Sequence, residues 1–417
     1  MEKAAPRIAA ADCERIVPYE VLLDRLADEG LSTWTADRQY LHAHPELSGR
    51  EVRTTAWIRQ RLEKLGLNVH TTRQQLGCFA DLTIGQPPET APLIALRADI
   101  DALPMQDRKS AEYASTCSGI THACGHDVHT TVVLATAELL VQLAARLPEA
   151  DVPGVRLRLI FQPAEETAAG AAWMVEAGAL QGVSCILGLH VDPTLPAGRV
   201  GIRYGVLTAC VDEVSIVVQG RGGHAARPQH TTDPLLTAAQ LVTTLYQMVP
   251  RNADALRPTV FTIGTIHGGT VSNVIPDEVR LDGTLRTTST TVRSRIMDTM
   301  QSICRGLAEA SGNHIQLRFL SPLGSVFNHT LPSSAYEMSA RQVVGEDNVV
   351  IIDKPSMGGE DFAVYLEHVP GAQFRLGCAG EAAEWPLLHS PFFDVHEQTL
   401  HYGLRIIART ALMLGLR

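Results

Sequence analysis

The sequence predicts an α/β fold, a sheet flanked by helices, with a smaller α+β domain inserted into it. Three observations carry this expectation. Short apolar strands alternate with helical stretches up to about residue 211. Between residues 212 and 323 the strands switch to strict polar–apolar alternation. From 324 to 417 the first style returns. The expected organisation is one larger domain built from 1–211 and 324–417, with 212–323 as the insert.

The elements follow in order. Residues 19–28 read as a helix, and 35–65 as a helical stretch broken at Pro45. The run LIALRAD at 93–99 reads as a buried strand, and 128–146 as a long amphipathic helix. VRLRLIFQ at 155–162 alternates, turns apolar and stops at Pro163. SCILGLHV at 184–191 is a further short buried strand. Strands alternating with helices suggest a mostly parallel sheet. Polar residues stand at or near the strand ends: Asp99, Asp101, Glu165, Glu166 and His190. Open α/β sheets bind ligands outside the carboxyl ends of their strands. In the insert, 213–220, 259–267 and 278–286 read as strands, and 235–248 and 292–310 as helices. That order suggests a small α+β domain with one solvated sheet face.

Composition narrows the classes. The chain is 45% hydrophobic and carries a formal net charge of -10. No Lys/Arg cluster marks a nucleic-acid footprint. No run of 18 apolar residues reads as a membrane span, since Glu138 and Gln142 interrupt the most apolar stretch. Residues 1–14 lack the apolar core of a secretory signal. The expected location is the cytoplasm, and the expected partner a small-molecule substrate rather than nucleic acid or membrane. Eight cysteines show no disulfide-framework spacing, so each reads as a small buried hydrophobe. Cys124 is the exception.

Cys124 lies in HACGHDVH at 122–129, which gathers three His, one Cys and one Asp at a loop-to-helix boundary. Thiolate and imidazole donors two residues apart suit Zn²⁺ or a related divalent ion. The plainer alternative is a polar helix start, with Asp127 as the cap. FQPAEE at 161–166 places two carboxylates after a buried strand. Beside a metal, one can ligate while the other takes a proton from water; alone, they read equally as a charged helix start. His190 and His389 are single histidines, each open to a core or a ligand role. GGHAARP at 222–228 sets His224 on a glycine-rich loop, Asn273 precedes Val-Ile-Pro, and Arg286 ends a strand. Arg in such a place can grip a carboxylate with two hydrogen bonds. Each could equally be an ordinary turn or surface residue.

Taken together the motifs occur in the order of one family. RQYLHAHPELS at 38–48, LRADIDALP at 96–104, HACGHD at 122–127, QPAEE at 162–166, GLH at 188–190, GGHAARP, NVIP at 273–276, GTLR at 283–286, MGGEDF at 357–362 and LHSP at 388–391 resemble the aminoacylase/carboxypeptidase metallopeptidases. The likeness is to their amidohydrolase branch, which includes hippurate hydrolases and indole-acetyl-amino-acid hydrolases. It runs from about residue 36 to the end. It implies a metallopeptidase-like catalytic domain with a mixed sheet flanked by helices, and an inserted α+β lid that commonly dimerises. It implies two divalent metal ions, Mn²⁺ favoured and Zn²⁺ the alternative, on Cys124, His126, Glu166, His190 and His389. Glu165 matches the general base, Asp101 the acid behind a ligand, and His224 the stabiliser of a developing oxyanion. Asn273 and Arg286 match substrate-carboxylate contacts.

The activity expected is hydrolysis of a C–N bond beside a small carboxylate-bearing group, most simply in an N-acyl or N-aroyl amino acid. A second reading keeps the metal site and changes the reaction to hydrolytic deamination of an aromatic amine, of the 5-nitroanthranilate type, with release of ammonia. Three departures from the family's usual pattern weaken the generic amino-acid reading without establishing this one: a 35-residue N-terminal extension, Gly359 in place of Ser, and Arg375 in an apolar strand, where it could hold a carboxylate or nitro group. A third reading, a non-catalytic binding protein, conflicts with the presence of Glu165 and all five ligand candidates.

Overall fold

The computed structural model describes residues 6–381 and 384–417. Its contacts divide the chain into two units: Met1–Gly205 with Phe327–Asp353 and Asp361–Arg417, and Val206–Val326 with Lys354–Glu360.

The first unit is built on an eight-stranded sheet. In spatial order its strands are Val69–Thr71, Cys78–Ile84, Val155–Gln162, Leu93–Asp99, Val183–Pro196, Gly371–Ala379, Val200–Ile202 and Val349–Ile351. The four central strands run parallel. The sheet as a whole is mixed rather than mostly parallel, because antiparallel pairs stand on both sides of the central strands. Val69–Thr71 pairs antiparallel with Cys78–Ile84, and Cys78–Ile84 with Val155–Gln162. Val183–Pro196 turns at Gly198 (φ 87°) into Val200–Ile202, which lies antiparallel to Gly371–Ala379. Every residue of Leu93–Asp99 is buried, as expected of a strand covered on both faces.

The helices follow from the same burial. The first long helix is Val17–Ala43, which joins the stretch read as 19–28 to the one beginning at 35 and ends before Pro45. His126–Arg146 is long and apolar enough, by length and composition, to cross a membrane. In this fold it is a core helix, packed against Val17–Ala43, Gln398–Gly415 and Leu93–Asp99. Its Val132, Leu134, Leu139 and Leu140 are fully buried, and each such side chain contributes roughly 1.5–3 kcal/mol by leaving water.

The second unit holds a four-stranded antiparallel sheet in the order Thr259–Gly268, Glu278–Thr287, Cys210–Gln219, His314–Leu323. Helices Pro234–Asn252 and Thr290–Ser311 cover one face, closing a core of Val214, Ile216, Val218, Leu241, Leu245, Ile296 and Met300. Alternate residues of Cys210–Gln219 face the other way and are more exposed. Asp233 caps the first helix by accepting the Leu235 and Leu236 amides at 2.9 and 3.2 Å.

Candidate metal centre

The carboxyl ends of the central strands and the start of one helix build the site. Asp99 closes Leu93–Asp99, with Asp101 two residues on. Glu165 and Glu166 lie in the loop after Val155–Gln162. His190 is carried within Val183–Pro196, and His126 opens the helix His126–Arg146. Gly125 precedes that helix in a left-handed conformation (φ 83°), and a Cβ there would meet Val191 Cγ2 at 2.4 Å. Only glycine makes this turn cheaply, and the turn carries Cys124 and His126 on either side. His389 itself is left-handed (φ 60°), and its amide donates to the Ala123 carbonyl at 2.8 Å.

Among the described residues five groups of three potential donors gather here, and two of them meet at Cys124. Atoms of Cys124, His126 and His190 lie within 4.8 Å of one another, and so do atoms of Cys124, Glu166 and His389. Cys124 belongs to both. All five residues proposed as ligands from the sequence are therefore brought together. Glu165 joins them, its Oε2 3.9 Å from His126 Nε2. Cys124 Sγ stands 3.5 Å from His190 Nε2. His190 Nδ1 donates to the Val191 carbonyl at 2.7 Å, which leaves the lone pair of Nε2 facing the sulfur. His126 Nδ1 lies 3.1 Å from Asp101 Oδ1 and 2.9 Å from the Asp101 carbonyl, which turns Nε2 inward. His126 Nε2 and Glu166 Oε1 are buried and lack a hydrogen-bond partner. Buried polar atoms are ordinarily paired, and a divalent cation would satisfy both. The donor set and its orientation fit a metal pair.

Electrostatics agree with that fit. Burial pushes the Cys124 thiol up and Glu166 up, and pushes His190 well below the usual imidazole value. Burial also opposes charge on His126, but the Asp99 carboxylate and Cys124 outweigh it and raise the imidazole well above its usual value. Ligands must be deprotonated to bind a metal, so loading this site with a divalent ion would release protons. Asp101 also resists burial, kept ionised by hydrogen bonds from His126, Ser48 Oγ (2.6 Å) and the Glu166 amide (3.0 Å).

Several neighbours of the site had no ligand or base role assigned from the sequence. His129 links Asp99 Oδ1 (2.7 Å) to the Val191 amide, which donates to its Nε2 at 3.0 Å. The only signal for it was its place three residues after His126. Asp127 does not cap its helix: it accepts from Arg38 Nε and holds His42 Nδ1, both at 2.7 Å. Arg97, buried inside the strand, joins Asp99 (2.7 Å), Asp361 (2.9 Å) and Gln162 (2.8 Å). His122, the first histidine of the motif, is buried with neither ring nitrogen paired, and burial lowers it to about 3. Arg375 sits in register beside His190 on the next strand, and its charge helps to depress that imidazole.

The remaining candidates belong to the second unit. His224 lies in a short strand, Gly223–His224, opposite Val274, with the Asn273 carbonyl accepting the Ala225 amide at 3.1 Å. Arg286 Nη1 donates to the Met357 carbonyl at 2.8 Å. Gly359 is tightly enclosed: a Cβ would meet Val211 and Leu323 at 3.0 and 3.1 Å.

Known proteins share this architecture. The sequence signature of peptidase family M20/M25/M40 matches residues 95–413. The chain is 39% identical to an N-acetylcysteine deacetylase of Bacillus subtilis, over 93% of this chain and 99% of that one. It is 37% identical to an IAA-amino acid hydrolase of Arabidopsis thaliana, over 90% and 84%. The solved structure of a dinuclear metal-binding M20 peptidase from Bacillus subtilis matches with a TM-score of 0.79 at 35% identity, covering 93% of this chain and 99% of that one.

Proposed function

The chain belongs to peptidase family M20/M25/M40, and on that footing we propose that it hydrolyses N-acyl or N-aroyl amino acids with a two-metal centre. It is a hydrolase acting on carbon–nitrogen bonds. The finer reading draws on relatives that are a deacetylase of N-acetylcysteine and a hydrolase of IAA-amino acids. The observation that carries it is the sharing of Cys124 by two donor sets, with Glu165 beside them.

In this reading Cys124, His126 and His190 hold one divalent ion, and Cys124, Glu166 and His389 the other. Mn²⁺ is favoured and Zn²⁺ is the alternative, since a mixed S, N, O donor set admits both. Bound divalent ions supply Lewis acidity, which polarises the scissile carbonyl and acidifies water. Glu165 takes a proton from the attacking water and returns it to the leaving nitrogen. Asp101 fixes the ring of His126 through Nδ1. His224 is assigned the developing oxyanion, where one donor is worth about 3 kcal/mol. Asn273 and Arg286 are assigned the substrate carboxylate. The second unit is assigned the lid and dimerisation role in a homodimer. A reducing, cytoplasmic setting accords with eight free cysteines, seven of them buried.

One observation favours a second reading. Arg375 beside His190 brings positive charge next to that histidine, which suits a nitro- or carboxyl-substituted aromatic amine and hydrolytic deamination. Product analysis by mass spectrometry separates the two. Mn²⁺-loaded protein is incubated with hippurate, N-acyl amino acids and 2-aminobenzoates, including nitro-substituted ones. Release of an acid plus an amino acid supports amide hydrolysis. Ammonia with a hydroxybenzoate moves the assignment to deamination. In either case Glu165→Gln abolishes turnover at unchanged metal content; an active Glu165→Gln enzyme removes Glu165 from the role of base.

A further inference from the structure

We propose that Glu51 is a positioning residue that sets the direction of Glu165 and Glu166 by holding the backbone just before them. The inference rests on the assignment of Glu165 and Glu166 to the metal centre. Glu51 is fully buried at the start of helix Val52–Lys64. Its Oε1 accepts the Ala164 amide at 2.7 Å and the Gly49 amide at 2.9 Å, so one oxygen ties two loops. Ala164 is left-handed (φ 50°) without being glycine, a conformation that costs of order 1–3 kcal/mol and persists only where the surroundings enforce it. The Glu51 hydrogen bond is part of that enforcement, and Glu165 and Glu166 are the next two residues.

The same short segment grips the loop a second time. Ser48 Oγ donates to Asp101 Oδ2, and that oxygen also accepts the Glu166 amide. Residues 46–51 are in turn docked on the strand end, where the Ala102 amide donates to the Glu46 carbonyl at 2.8 Å. The far oxygen of Glu51, Oε2, is buried without a partner. Burial raises this carboxyl to about 7. An ionisable group kept in such a place destabilises the fold, and the amide it holds is what that cost secures.

The test compares Glu51→Ala, Glu51→Gln and Glu51→Asp with the wild type. A misplacement of about 1 Å can cost 10²-fold in rate. Glu51→Ala is expected to lower kcat about 10- to 100-fold with KM within about threefold. Glu51→Gln keeps an oxygen for both amides and is expected to stay within about threefold of the wild type. Glu51→Asp, a full-length acid replaced by a shorter one, covers the case in which the alanine variant does not fold; its kcat is expected to fall with that of alanine. A readout free of substrate runs in parallel: the visible spectrum of the Co²⁺-loaded proteins. The bands of Glu51→Ala and Glu51→Asp should shift, and those of Glu51→Gln should coincide with the wild type. Unchanged kcat and spectrum in Glu51→Ala overturn the proposal, as does a Glu51→Gln variant as impaired as alanine. A wild type that turns over no N-acyl amino acid defeats the substrate reading alone, because the cobalt spectra still decide the role of Glu51.

Discussion

Replacing Arg97 by Met should cost this protein about 4 kcal/mol without touching a ligand. Arg97 is 1% exposed. Its guanidinium donates to two buried carboxylates, Asp99 and Asp361, and to Gln162. Removing one partner of a buried ion pair typically costs 3–5 kcal/mol, because the other charge stays buried. Two carboxylates are affected here, but neither loses every partner. Asp99 keeps His129, and Asp361 keeps Gln162 and the Ala171 amide at 3.1 Å. The total is therefore set near that of one broken pair. All four tryptophans, Trp34, Trp57, Trp173 and Trp385, lie in the first unit. Guanidinium unfolding followed by tryptophan fluorescence thus reports that unit. The pH dependence has a definite sign. Burial opposes charge on Asp99, but His126, Arg97 and His129 hold it well below the usual carboxylate range. Its stabilising contribution is present above that range and lost on acidification, so the gap between Arg97→Met and wild type should narrow as pH falls. A loss below about 1 kcal/mol at neutral pH would refute the reasoning.

Three further expectations are narrower. Cys124→Ala removes a donor from both sets, so elemental analysis should find both ions lost rather than one; retention of two per chain would exclude the shared thiolate. Glu51, raised to about 7, is favoured in the fold when protonated, so its cost is absent below the ordinary carboxylate range and complete above pH 7. Glu51→Gln should gain on the wild type by up to about 3 kcal/mol between pH 4.5 and 8, and melting curves with a pH-independent difference would contradict this. Asp233→Ala should destabilise helix Pro234–Asn252 by about 1 kcal/mol, seen as faster hydrogen exchange confined to the first turns of that helix; unchanged protection there would count against the cap.

The central strands and the core helix were legible because their signal is local. Seven buried residues in a row, as in Leu93–Asp99, or a long helical apolar pattern need no knowledge of the rest of the chain. The flanking strands were not, since Val69–Thr71, Val200–Ile202 and Val349–Ile351 are three residues each and exist only through their neighbours. The same division runs through the site. Cys124 and His126 announce themselves by spacing. Which of His126 and His129 faces the centre is decided by Asp99 and Asp101, and those carboxylates belong to another strand. Glu51 acts on Ala164 across 113 positions, and no periodicity encodes such a contact. Arg97 reads as a misplaced charge in an apolar strand until its partners Asp99, Asp361 and Gln162 are seen.

The bond from the His389 amide to the Ala123 carbonyl has an entropic side. It closes a loop that contains the whole of Val206–Val326. The cost of closing a flexible loop rises only logarithmically, by about 0.6 kcal/mol for each doubling of length. Gly205 and Phe327, where the chain leaves the first unit and returns, stand close together: a Cβ on Gly205 would lie 3.8 Å from the Phe327 ring. Once Val206–Val326 has formed its own core, the chain between His190 and His389 behaves as a much shorter tether. Carrying a second unit between the donors thus burdens their assembly with under about 1 kcal/mol. Thermodynamically, that stretch can grow, shrink or change its surface while the distant donors still find one another.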